Sequence, residues 1–325
     1  MATVTLVANT NYSALTVADG DTIDCAGFQL TINIQPAQTG VFVVSPATAG
    51  TVSISGAYDL STWSFTGGTV TFIATVPIGA SLGTVTAGSG TFAHGVGTNN
   101  GTITTVNGAT TGSGGQGVQT NNGTVGTANG GAVASAFGVT TNNGTVTTSN
   151  GGTASNVIGV STNNGTITTA NGGTATGTHG VATNSGTVSN ANGSGFAHGV
   201  NTNNRYVGTA NGGAVGHGVA VNNGSVGHAI GGLGASAYGI LFNNGGLVLR
   251  LTANVGMAVS LWNGAIAFVE GPYIDGVIPS NIKTIYSLGP LSGDATIAGD
   301  ATVIEMAEGS GGGFRRQGMG GGFPS

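Results

Sequence analysis

Asn142-Asn143-Gly144-Thr145-Val146-Thr147-Thr148-Ser149-Asn150-Gly151-Gly152 is followed, twenty-one residues further on, by Asn163-Asn164-Gly165-Thr166-Ile167-Thr168-Thr169-Ala170-Asn171-Gly172-Gly173. The leading Asn of this unit returns at Asn99, Asn121, Asn142, Asn163, Asn184, Asn203, Asn222 and Asn243, at spacings of 22, 21, 21, 21, 19, 19 and 21. A period held this closely, with slack of a residue or two, is the mark of stacked coils whose straight segments are fixed and whose connections vary.

Aligned on that Asn, two columns are aliphatic throughout. Three residues before it stand Val96, Val118, Val139, Val160, Val181, Val200, Val219 and Ile240; four after it stand Ile103, Val125, Val146, Ile167, Val188, Val207, Val226 and Leu247. Both are predicted to face inward. A third column, Val106, Ala128, Ser149, Ala170, Ala191, Ala210 and Ala229, is restricted to small residues, which predicts a narrow interior. Asn107, Asn129, Asn150, Asn171, Asn192 and Asn211 come next, mostly ahead of Gly; Asn and Gly take positive φ at low cost, so each coil is expected to turn at two Asn-bearing corners.

Asn-Gly is also the strongest short signal for an antiparallel hairpin. Identity along the columns decides against it. A residue stacked on its own copy eight times over is what a parallel coil produces, each strand pairing with its equivalent one strand spacing away, and stacked Asn amides are able to hydrogen-bond along the axis. The fold class expected is therefore all-β, a parallel β-solenoid (β-helix) of about 21-residue coils, with β-rich caps at both ends.

Four segments follow from this. Residues 1–83 lose the strict repeat but keep alternation, as in Thr3-Val4-Thr5-Leu6 and Gln29-Leu30-Thr31-Ile32, and collect Phe28, Phe42, Trp63, Phe65 and Phe72; they are predicted to form larger irregular coils and an N-terminal cap. Residues 84–245 are the regular solenoid. Residues 246–308, where Trp262 and most of the acids lie, are expected to be a C-terminal cap or partner module, and 309–325 is a Gly-rich tail with Phe314, Arg315, Arg316, Met319 and Phe323.

Composition narrows function. The 325 residues include 65 Gly, only 5% are charged, and the net charge is −5. Five Lys and Arg in all are too few to neutralise a nucleic-acid backbone, so no nucleic-acid partner is expected. No uncharged apolar run is long enough to span a bilayer, residues 1–20 carry no signal-peptide pattern, and Cys25 stands alone without a disulfide partner. No Asp or Glu lies between residues 60 and 269, which denies the coil wall a pair of carboxylates for glycoside cleavage or an acid to orient a catalytic imidazole. The chain is expected to be no enzyme and to need no cofactor or metal.

Three features invite chemistry nonetheless. His94, His179, His198 and His217 share a column with Gln116, Phe137, Ile158 and Tyr238; stacked imidazoles suit a metal, but the mixed column favours packing. Asp19, Asp21 and Asp24 suit either calcium or a solvated turn. Thr102, Thr124, Thr145, Thr166 and Thr187 form an outward column, echoed at Thr104, Thr147 and Thr168, which is a candidate surface-binding array; this Thr-x-Thr pattern resembles ice-binding solenoids, with Tyr206, Gly126 and Gly208 breaking the match.

The phrase Asp19-Gly20-Asp21-Thr22-Ile23-Asp24-Cys25-Ala26-Gly27-Phe28, followed by Leu30-Thr31-Ile32, is similar to the entry coils of right-handed β-helices in bacteriophage structural proteins. The Gly/Asn/Thr body and the tail also resemble phage fibre, tailspike or head-decoration proteins. That resemblance implies a virion appendage, a homotrimer joined to other virion proteins at one end, which attaches to a host surface, a glycan included, or stabilises the particle. Bacterial adhesins and filament-forming surface proteins share such a body, and for them the location would be the cell surface.

Overall fold

The computed structural model describes residues 1–252, apart from 46–49, 68–70, 88–93, 110–114, 133, 156, 174, 176–177 and 235–236. Beyond 252 it describes the backbone of strands Val259–Glu270, Val277–Ile278, Thr284–Leu288, Thr296–Ile297 and Thr302–Met306. The tail 309–325 lies outside the described residues.

Alternation of small, β-branched and polar side chains gives short strands, and Gly-rich connections separate them. Each repeat supplies two. One ends on the leading Asn, as in His94–Asn99, Gln116–Asn121 and Val139–Asn142; the other begins on the Thr three residues later, as in Thr102–Asn107, Thr124–Asn129 and Thr145–Asn150. Each strand pairs in parallel with its copy one coil away. On the first ladder Val118 faces Val139 and Asn121 faces Asn142; on the second Thr124 faces Thr145 and Val125 faces Val146. Among the described residues every strand pairing is parallel, and the main body is a single 25-stranded assembly. The chain is a parallel β-solenoid.

The interior is built from the columns. Val118, Val139, Val160, Val181, Ile103, Val125, Val146 and Ile167 are all 0% exposed, as are Ala128, Ser149, Ala170, Ala191 and Ala210. A further inward column went unread in the sequence: Ala136, Val157, Thr178, Ala197 and Ala237, on the connecting side of the coil, are fully buried. Their sizes vary from coil to coil, so no single residue type announces them.

Leu247 corrects one expectation. It is 43% exposed, while Val248 is buried and pairs with Val226. The corner Asn243-Asn244-Gly245-Gly246 carries one residue more than its predecessors, taken up where the register shifts between Asn244 and Leu247, with Gly245 at φ 92°. Because side chains alternate across a strand, an extra residue exchanges the two faces.

The repeat has no backbone boundary at either end. The second ladder runs unbroken from Thr3 through Thr22, Phe42, Ser64 and Thr84 to Thr105, so residue 83 falls inside the strand Ser81–Thr86. What changes there is the filling. Trp63, Phe65 and Phe72 occupy the N-terminal interior, with Tyr12 edge-on to Trp63 at 5.3 Å and the indole N–H donating to the Gln38 carbonyl at 3.0 Å. Phe28 and Phe42, expected with them, are 37% and 43% exposed. At the other end, residue 245 falls inside the strand Ile240–Thr252, whose parallel partner is Val259–Glu270.

Inward and outward positions predict a contrast. Val146→Asp places a charge in a closed interior and should cost more than about 3 kcal/mol, whereas Thr147→Asp, one residue along and exposed, should stay within about 0.5 kcal/mol. Denaturant midpoints of the two variants measure the difference.

Candidate functional site: the amide ladders and the outward columns

Asn99, Asn121, Asn142, Asn163, Asn184, Asn203, Asn222 and Asn243 point into the molecule; the last is 1% exposed and the others 0%. Nδ2 of each donates to Oδ1 of the next at 2.7–2.9 Å, from Asn99 through to Asn243. The second amide hydrogen goes to backbone carbonyls: Asn142 Nδ2 lies 3.3 Å from the oxygens of Gly144 and of Thr166 in the next coil. At the first rung, Oδ1 of Asn99 accepts the Gly101 N–H at 3.1 Å.

These corners therefore need Asn for its buried amide and not for its tolerance of positive φ. Among the described residues, positive φ outside Gly occurs only at Ala26 and Ser135. The following Gly is required by crowding. A Cβ on Gly144 would lie 2.1 Å from the Gly123 carbonyl oxygen of the preceding coil. Arg205 occupies the same position in one coil, and there the Tyr206 N–H reaches the Gly186 oxygen at 3.3 Å, against 2.9 Å for Thr166 to Gly144.

Two outer ladders run beside the buried one. Asn129, Asn150, Asn171, Asn192 and Asn211 each donate to the Asn one coil back at 2.7–2.8 Å, ending with Asn107 on the Thr86 hydroxyl at 3.2 Å. Asn122, Asn143 and Asn164 form an exposed ladder in the same sense, each donating at 3.0 Å; Ser185 interrupts it, and it resumes where Asn223 donates to Asn204.

On the outer surface, Thr102, Thr124, Thr145 and Thr166 are exposed and Thr187 is half-buried, all in register. The longest Thr column is a different one, overlooked in the sequence. Thr75, Thr98, Thr120, Thr141, Thr162, Thr183 and Thr202 follow one another on the first ladder without interruption. The column stands one residue before the ladder Asn, where it is legible once both are aligned. Past Thr202 it turns apolar at Val221 and Phe242. Outward positions on the second ladder change likewise, with Tyr206 and Leu247 each 43% and Leu249 49% exposed.

The three N-terminal aspartates and the stacked histidines are engaged with the backbone, whereas the buried Nδ1 of His94 has no hydrogen-bond partner. Asp21 accepts the N–H of Ala2 at 2.6 Å and of Ala18 at 3.0 Å, which hold its carboxyl below the usual range; it is only 7% exposed, neither a solvated turn nor a free ligand. Asp19 takes the Thr39 N–H and Asp24 the Ala26 N–H. Cys25 is buried, and burial, helped by Asp24, pushes its thiol up to about 12. His179, His198 and His217 stack at centroid distances of 5.0 and 4.7 Å, and Tyr238 follows at 5.1 Å. Parallel rings direct their nitrogens side by side, where a tetrahedral ion needs them to converge. Among the described residues no three His, Cys, Asp or Glu side chains are grouped to hold a metal, and no helix is long and apolar enough to cross a membrane.

The buried and exposed ladders should respond differently to the same change. Asn163→Ala breaks two buried rungs, leaving one amide hydrogen of Asn142 without its acceptor and Asn184 Oδ1 with the Gly186 N–H alone, an expected loss of about 2–5 kcal/mol. Asn164→Ala removes an exposed rung and should cost less than about 1 kcal/mol, again read from unfolding midpoints.

Comparison with family models, with curated proteins and with solved structures finds no match to this chain.

Proposed function

We propose that this protein is a non-catalytic structural rod of the virion-appendage kind, which carries a contact surface to a host envelope or braces the particle that bears it. The observation behind this is the uninterrupted stacking of identical positions. Parallel pairing continues from Thr3 to Phe268 on the second ladder, giving a rod of roughly 60 Å at 4.7–4.9 Å per coil. Its wall is uncharged over most of its length, with no carboxylate between residues 60 and 269, and presents Thr and Asn amides suited to hydrogen-bonding a neutral surface such as a glycan. A surface so poor in charge also suits an assembled particle better than a freely diffusing protein.

Copies associate, in this proposal, through the C-terminal coils, as a trimer. In support, the outward Thr columns give way there to Val221, Phe242, Leu247 and Leu249, and parallel sheets with apolar residues on both faces are ordinarily covered on both. Light scattering on the full chain should give three times the chain mass, and the double variant Leu247→Asp, Leu249→Asp should reduce it to one. A monomeric parent that binds neither particles nor cell envelopes would end the proposal; self-propagating polymers would move the chain to the bacterial surface class.

The seven-coil Thr column favours one other reading, recognition of a regular lattice of the ice-binding kind. Thermal hysteresis that disappears in the Thr141→Tyr, Thr162→Tyr variant would establish it, and its absence from the parent chain would remove it.

A further inference from the structure

On the connecting side of the coils, three imidazoles accept backbone N–H groups of the following coil. Nδ1 of His179 accepts the N–H of His198 at 3.4 Å, Nδ1 of His198 that of His217 at 3.1 Å, and Nδ1 of His217 that of Tyr238 at 3.0 Å. Each ring thus bonds the residue at its own position one coil later, and it does so only when Nδ1 is unprotonated and the hydrogen sits on Nε2. A proton at Nδ1 would set donor against donor and place a cation against the face of the next ring.

Among the described residues no carboxylate lies in these coils to compensate that charge. The connections 172–178, 193–197, 212–216 and 231–237 contain no titratable residue, and Asp and Glu are absent from 60–269. The other ionisable groups of these coils are Tyr238 within the stack, Arg205 and Tyr206 exposed at the corner after Asn203, and His228 and Arg250, neighbours on the second ladder beyond Thr209. His94 shares the column but is separated from His179 by Gln116, Phe137 and Ile158.

We propose that the stack of His179, His198 and His217 is an acid-sensitive joint: proton uptake opens the connecting side of the coils between residues 179 and 238, while the Asn-laddered corners hold. The ladder Asn184, Asn203, Asn222 and Asn243 passes through the same coils and carries no titratable group, so mild acid leaves its bonds intact.

The sign follows from burial. Desolvation lowers the proton affinity of all three rings, and for His198 the flanking His217 and His179 add to it, bringing it to about 3. An opened ring protonates near its ordinary value of about 6.5, so the open form binds more protons. Closure is therefore at full strength above that pH and weakens steadily as the pH falls from there toward 3. Between pH 6.5 and 5 carboxylates with ordinary or lowered affinity, Asp21 and Asp59 among them, stay ionised and contribute little.

Hydrogen exchange on the full chain, corrected for intrinsic rates, tests this. Opening that frees one ring should become about 30-fold more frequent at pH 5 than at pH 7.5, so protection at His198, His217 and Tyr238 should drop by at least that factor, while Val160–Asn163 and Thr166–Asn171 keep theirs. His198→Phe, a residue the column already accepts at Phe137, removes one acceptor at every pH and should reduce the ratio between the two pH values. Unchanged protection in the parent, or an undiminished ratio in the variant, overturns the proposal. Histidine ring NMR on the parent gives a reading that needs no variant: titration of the three stacked rings below the ordinary value of about 6.5 in the folded chain supports it, and titration at or above that value refutes it.

Discussion

A primary amide has two hydrogens to donate and an oxygen with two lone pairs, and burying it with these unmet costs more than most single side chains contribute to stability. Here such an amide is buried in each of eight successive coils, and the group best placed to satisfy it is its own copy. Asn142 receives from Asn121 and gives to Asn163 at 2.7 and 2.8 Å. Slipping one coil by a single residue would turn that amide outward and leave two others unmatched, so the ladder fixes register more firmly than the Val columns, which would accept any aliphatic neighbour. It also explains where length varies. Spacings of 19 and 21 residues share the same strands and corners, and the difference is absorbed in the connections.

The ladders also balance one another. Amides of the buried column donate toward the C-terminal end, whereas those of the two outer columns donate toward the N-terminal end. Rows of aligned amide dipoles along a rod would otherwise sum; opposed rows largely cancel, which suits a wall almost without charge. Against this background the imidazole stack is chemically distinct. It serves the same coil-to-coil bonding as the amides, but with a group whose acceptor disappears on protonation, and the surrounding coils hold no carboxylate to stabilise the charge.

Filling of the interior changes along the axis while the backbone does not. Trp63, Phe65 and Phe72 fill the early coils and Val, Ala and Asn the later ones, yet the ladders pass from one to the other without a break. A repeat motif marks where side chains become uniform, and uniform side chains are only one way to fill a parallel coil. For the same reason the change of outward columns from Thr to Val221, Phe242 and Leu249 leaves pairing untouched and alters only what the surface can meet.

The sequence by itself determined the architecture. Val146 and Ile167 recur at equal distances from Asn142 and Asn163, and only parallel stacking makes such recurrence useful; stacked asparagines and an acid-free wall were legible on the same ground. Tertiary structure alone decided three matters. That the corner amides point inward depends on the local turn, which the Asn-Asn-Gly triplet shares with exposed turns of opposite sense. That Leu247 faces out depends on one additional residue in its corner, and alternation across a strand makes orientation sensitive to a count of one. That His179, His198 and His217 each bond the next coil through Nδ1 depends on ring rotation, which column identity leaves open because Phe137 and Ile158 occupy the same position without any acceptor.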